Sequence, residues 1–174
     1  MDSWGTHVPV LAAAIANTKG DILELGCGDY STPLVHALRG DRFTLSAEHD
    51  AEWLKRYANL HEPGKHHVVP VVDWDKFLGS RRVSECPWGL VVVDHAPGDR
   101  RAGDLRRLTN LAEVVVAHDT DASCYGWGDV WSGFGWVYTY TRWETWTTVA
   151  GHGPLPEWPK LLAPGSWGHT SCWR

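Results

Sequence analysis

The sequence has no apolar run long enough to span a bilayer, and nothing after Met1 pairs a basic segment with an apolar one. It therefore predicts neither a transmembrane helix nor a secretory leader, and no membrane partner. Cysteine is sparse and scattered. Cys27, Cys86, Cys124 and Cys172 show neither the close pairs of a zinc site nor the density of a disulfide framework, which suits a reducing cytoplasm. Positive charge is also short, with 16 Lys and Arg against 21 Asp and Glu, a net charge of -5 and a pI near 6.0. That balance argues against general nucleic-acid binding. No internal repeat is present. What remains is 174 residues at 43% hydrophobic content, enough for one compact domain and not two. The bias lies in the aromatics: 12 tryptophans, eight of them from Trp127 onward.

The chain is organised around Asp21-Ile22-Leu23-Glu24-Leu25-Gly26-Cys27-Gly28-Asp29-Tyr30-Ser31-Thr32. A short apolar run breaks at a Gly-x-Gly pair and meets Ser31-Thr32-Pro33. A hydroxyl N-cap with proline in the first turn predicts a helix start, and Leu34 to Leu38 continue at helical spacing. Strand, glycine turn and helix make a unit in which a ligand can approach bare backbone and a helix N-terminus favours negative charge. A dinucleotide fingerprint would want a third glycine at position 31, where Ser31 stands. A plain strand-to-helix turn is the bland alternative.

Further along, Thr6 to Thr18 reads as a helix, Arg42 to Glu48 as a second strand, and Asp50 to Leu60 as a helix with Trp53, Leu54 and Tyr57 on its core side. His66 to Val72 reads as a third strand, at an edge because of Pro70. Trp88 to Asp94 is a continuous β-branched run, as expected of a strand buried on both faces. Asp99 to Leu111 is helical with its arginines solvated, and Glu113 to Asp119 is a fifth strand. Trp136 to Thr141 and Thr145 to Val149 form a hairpin. The fold class is α/β: a Rossmann-like, doubly wound, mostly parallel sheet closed by an antiparallel hairpin. Residues 1–150 form the domain. Residues 151–174, with Pro154, Pro156, Pro159, Pro164, Trp158, Trp167 and Trp173, form an irregular tail packed on it or extending from it.

Glu24-Leu25-Gly26-Cys27-Gly28 resembles motif I of the class I S-adenosylmethionine-dependent methyltransferases, and the element order resembles their seven-stranded fold over residues 6 to 150. The chain departs where many members carry a further glycine and it has Tyr30. The resemblance implies an S-adenosylmethionine cofactor held by Glu24, Gly26, Gly28, Ser31 and Thr32. Glu48, 22 residues after Gly26 at the end of strand two, would take the ribose hydroxyls. Asp73 and Trp74 would lie at the adenine and Asp94 beside the methionine end. For Trp74 a core position is the equal alternative.

Methyl transfer to an acceptor oxygen needs alignment and a place for the acceptor's proton. His95 and His118, at the ends of strands four and five, are the candidate bases. Asp94, His95, His118 and Asp119 are expected in one cleft. The same strand ends also resemble the catechol-type O-methyltransferases, in which acids hold Mg²⁺. That resemblance implies Asp94 and Asp119 as ligands, with Asp121 a third. His118 stands where that subgroup usually has Asp, which favours the metal-free route or a softer metal. Trp127, Trp131, Trp136 and Trp143 either wall an aromatic acceptor or fill the core. The reading is a methyltransferase for a small-molecule acceptor, most simply at oxygen. A nicotinamide oxidoreductase or a non-catalytic nucleotide-binding module is the alternative, and a homodimer is one option for assembly.

Overall fold

The computed structural model describes residues 5–154 and 156–161. Seven strands form one sheet: β1 (Asp21–Leu25), β2 (Thr44–Glu48), β3 (His66–Pro70), β4 (Trp88–Val93), β5 (Ala112–His118), β6 (Trp136–Tyr140) and β7 (Thr147–Gly151). Their spatial order is β3-β2-β1-β4-β5-β7-β6. The first five run parallel and β7 is antiparallel to both β5 and β6. The expected edge position of β3 is observed, and Pro70 ends it. The strand order reverses between β1 and β4, which opens a crevice at their carboxyl ends.

Strand alternation assigns the two faces. Ile22 of β1 and Leu90 and Val92 of β4 pack with Val10, Leu11, Ala14 and Ile15 of α1 (Val8–Asn17) and with Val35 of α2 (Ser31–Leu38). Leu23 and Leu25, with Val91 and Val93, point to the opposite face. There they meet Trp74 and Leu78 of α4 (Trp74–Leu78), Val83 of α5 (Arg81–Ser84), and Leu105 and Leu108 of α6 (Arg101–Leu108). The all-buried β4 follows from this double cover. Its second residue has to be glycine, because a Cβ on Gly89 would lie 1.5 Å from the Lys19 carbonyl oxygen.

The helix α3 (Ala51–Tyr57) starts as expected, with the Asp50 carboxylate accepting from the backbone N–H groups of Glu52 and Trp53. The helix α2 does not. Its cap is Tyr30, with no side-chain hydrogen bond, and Ser31 and Thr32 already belong to the first turn. Two short helices not expected from the sequence are α4, capped by the Asp73 carboxylate, and α5, which Ser80 precedes without a side-chain capping bond. Among the described residues no helix is long and apolar enough to cross a membrane. Of the tail, α7 (Trp158–Leu161) is described, with the Trp158 ring edge-on to Trp136. Residues 162–174, including Trp167 and Trp173, lie outside the described residues.

Candidate active site

Two adjoining cavities of about 320 and 460 Å³ open at the carboxyl edge of the sheet, and Gly28, Trp53 and Asp94 line both. The smaller is completed by His7, Asp29, Tyr30 and Arg56. The larger includes Glu48, His118, Tyr125 and Thr145. Together they form one cleft over the ends of β1, β2, β4 and β5, of a size ordinary for small-ligand sites.

The two motif glycines have different tasks. Gly26 has φ +92°, and a Cβ there would come within 2.6 Å of both the Asp94 carbonyl oxygen and the His95 Cα. It brings β1 against the end of β4 and does not line the cleft. Gly28 does, and its N–H donates to Thr32 Oγ1 at 3.0 Å.

Thr32 passes that bond on to Glu24 Oε1 at 3.1 Å, while Ser46 donates to the other Glu24 oxygen. Glu24 faces α2 and is completely buried, so it supports the glycine loop from beneath and does not line the cleft. Burial drives its pKa up to about 7 despite the opposing bonds from Ser46 and Thr32. Beyond Ser46 the chain of contacts continues through His66 Nε2 at 2.8 Å and on to His36 Nδ1. The adjacent histidines 66 and 67 point to opposite sides, His66 into this network and His67 to Arg82, as their strand alternation predicts.

Glu48 reaches the cleft from the end of β2. One carboxylate oxygen accepts from the Cys27 N–H at 2.8 Å, and the other accepts from the N–H groups of His49 and Asp50. The glycine loop and the start of α3 are thus fixed to one carboxylate, which lines the larger cavity.

Asp73 and Trp74 do not reach the cleft. The Asp73 carboxylate caps α4 by accepting from the Lys76 N–H. Trp74 is a core residue against the His95 ring, with its Nε1 donating to the Ala96 carbonyl. The tryptophan that lines the cleft among the described residues is instead Trp53, with the Arg56 guanidinium 4.4 Å from its ring centroid. Sequence periodicity placed Trp53 in the core. Of the later tryptophans, Trp127 and Trp136 are buried, Trp131 stacks on Trp127, and Trp143 packs on the α1 side of the sheet. Tyr125 and Thr145 line the larger cavity in their place.

The four polar residues at the ends of β4 and β5 do not all converge. His95 is fully buried, its Nε2 2.9 Å from Asp104 Oδ2, and it lines neither cavity. Burial lowers its pKa, against the raising influence of Asp104. Asp94, His118 and Asp119 do meet: His118 Nδ1 lies 3.3 Å from Asp94 Oδ2 and 3.6 Å from Asp119 Oδ1. Burial alone would lower the His118 pKa, but the hydrogen bond and charge of Asp94 outweigh it and leave it raised.

Arg101 joins them, although the sequence reading left it on a solvated face. It is buried, with Nη1 2.9 Å from Asp94 Oδ1 and 2.7 Å from Asp119 Oδ2, and it donates to the His95 and Asp94 carbonyls. Asp121 lies apart, where its carboxylate accepts from the Trp146 N–H. His7, at the foot of α1, was also missed. Its ring meets His118 edge-on at 4.6 Å between centroids. Only the adjoining Pro9 and the helix pattern mark that region in the sequence, and neither points to a ligand.

No protein-family model and no curated protein sequence matches this chain. Solved structures do, at the level of fold. A candidate O-methyltransferase from Klebsiella pneumoniae superposes with a TM-score of 0.64 at 16% identity, covering 86% of this chain and 80% of that one. The O-methyltransferase TomG from Streptomyces achromogenes, in complex with S-adenosylmethionine, gives 0.60 at 18% identity, covering 86% and 79%. The fibrillarin pre-rRNA processing protein of Methanococcus jannaschii gives 0.56 at 14%, covering 86% and 76%. The fold is therefore that of the class I S-adenosylmethionine-dependent methyltransferases, a seven-stranded sheet closed by its antiparallel hairpin.

Proposed function

We propose that this protein is an S-adenosylmethionine-dependent methyltransferase that acts on a hydroxyl of a small-molecule acceptor. The observation that carries the reading is the cleft at the β1/β4 reversal, floored by the bare backbone of Gly28 and flanked by Glu48. The residues present fit the cofactor. Gly28 and the first turn of α2 would face its amino-acid end, Glu48 its ribose, Trp53 its base, and Asp94 the reacting end.

When bound, S-adenosylmethionine supplies a methyl group already activated on a sulfonium. The chain has then to align the acceptor, exclude water and receive one proton. Tyr125 and Thr145 shape the acceptor side. The acceptor's proton leaves at the end of the cleft formed by Asp94 and His118, where Arg101 holds both strand ends in register. His95 and Asp104 act beneath this point as positioning groups, because neither touches the cleft.

Calorimetry of the purified protein with S-adenosylhomocysteine tests the reading. One binding site per chain is expected, weakened at least tenfold by Gly28→Val in a protein that still melts cooperatively. Absence of binding by the folded wild type would overturn it.

A further inference from the structure

His7, Asp94 and His118 come from three separate parts of the chain: the residue before α1, the end of β4 and the end of β5. One donor atom from each lies within 4.8 Å of the others. The arrangement around His118 fixes its tautomer. The Thr6 hydroxyl donates to the Thr145 carbonyl at 3.1 Å, so it accepts from His118 Nε2 at 2.9 Å. His118 Nδ1 thus faces Asp94 Oδ2, 3.3 Å away. A proton on Nδ1 joins the two, and a metal ion can take that proton's place.

His7 supplies an independent observation. It is 4% exposed and neither ring nitrogen has a hydrogen-bond partner. A buried polar group without a partner is costly unless something binds it, and His7 lines the smaller cavity beside Asp94.

We propose that His7, Asp94 and His118 form a binding site for one divalent transition-metal ion. A tetrahedral centre wants donors roughly 3.3 Å apart, so binding would draw the three in from the 4.8 Å within which they now lie. Two imidazoles and a carboxylate suit Zn²⁺, Fe²⁺, Co²⁺ or Mn²⁺ better than Mg²⁺, which prefers oxygen ligands and water. The oxygen-only set of Asp94, Asp119 and Asp121 is not assembled: among the described residues the cluster around Asp94 is made by His7 and His118, and Asp121 lies apart on the Trp146 N–H. Three protein ligands leave a position open toward the cavity, where an acceptor hydroxyl would bind and become more acidic. Thr6 holds the far nitrogen of His118, as outer partners of metal-bound histidines do.

The role in acceptor binding rests on the methyltransferase reading; the metal site itself does not. The test is titration of chelator-treated full-length protein with Zn²⁺, Co²⁺ and Mg²⁺ by calorimetry, with metal content measured after dialysis. One Zn²⁺ or Co²⁺ per chain is expected, bound at least 100-fold more tightly than Mg²⁺. His7→Ala and Asp94→Asn should each weaken it at least tenfold, while the exposed His61→Ala should not. The wild-type titration stands even if a variant fails to fold. No Zn²⁺ or Co²⁺ binding by the folded wild type, or binding unchanged in a folded His7→Ala and Asp94→Asn, overturns the proposal. S-adenosylhomocysteine binding in the same samples separates the two readings: cofactor without metal overturns this inference alone, and metal without cofactor overturns the function.

Discussion

Arg101 Nη1 lies 2.7 Å from Asp119 Oδ2 and, at 2.9 Å, reaches Asp94 Oδ1 as well, so one buried guanidinium ties the end of β4 to the end of β5. The cation is fixed by backbone carbonyls on its other nitrogens, and the Tyr125 ring packs 5.2 Å from it. Removing it would leave two neighbouring carboxylates without their shared counter-charge.

Arg101→Met is accordingly expected to destabilise the fold by about 3–5 kcal/mol, the range for breaking a buried pair from one side. Arg101→Lys should recover only part of this, because a single ammonium cannot make the contacts of Nε, Nη1 and Nη2 together. Denaturant melts of the two variants check this. A lysine variant as stable as wild type would show that the fork geometry has no role.

Gly26→Val and Gly28→Val should fail differently. At Gly26 a side chain meets both a left-handed φ and the backbone of Asp94 and His95, so the variant should lose cooperative folding. At Gly28 the nearest obstacle to a Cβ is Ser31 Oγ at 3.2 Å, so folding should persist while ligand binding is lost. Circular dichroism melts with S-adenosylhomocysteine calorimetry distinguish the two outcomes.

Glu48→Ala removes the acceptor for three backbone N–H groups and the contact proposed to the ribose. Cofactor affinity should fall by about 1–3 kcal/mol, the range for charged hydrogen bonds. A 2′-deoxyadenosyl analogue should lose little further affinity in the variant. Fully independent losses would take Glu48 off the ribose.

Glu24 gives a pH dependence with a defined sign. Its folded pKa, raised to about 7 by burial, lies above the ordinary 4.5. Its contribution to stability is complete below about pH 4.5, shrinks as the unfolded chain gives up the proton first, and is lost as pH passes 7. Glu24→Gln lacks this loss. Between pH 5 and pH 8 it should gain on wild type by about 2–3 kcal/mol, the linkage for a shift of this size. Parallel pH–stability curves would show that Glu24 titrates normally.

The sequence by itself determined the sheet and the glycine turn. Period-two runs, the all-apolar β4, Pro70 at an edge and the Gly-x-Gly break are local signals, and local backbone preference with burial suffices to read them. Glu48 was legible for the same reason, since a parallel strand delivers its last residue to the shared edge. Only the tertiary structure decided which side chains meet. Trp53 and Trp74 look alike in sequence, yet one lines the cleft and the other fills the core, because α3 sits at the carboxyl edge while α4 packs across the face. Arg101 follows Arg100 without distinction, but the rotation of about 100° between successive helical residues puts Arg101 under the strand ends and Arg100 on Asp75 and Asp104. His7 precedes His118 by 111 residues and joins it only because α1 begins where β5 ends. Such contacts depend on the packing of distant elements, which no local pattern encodes.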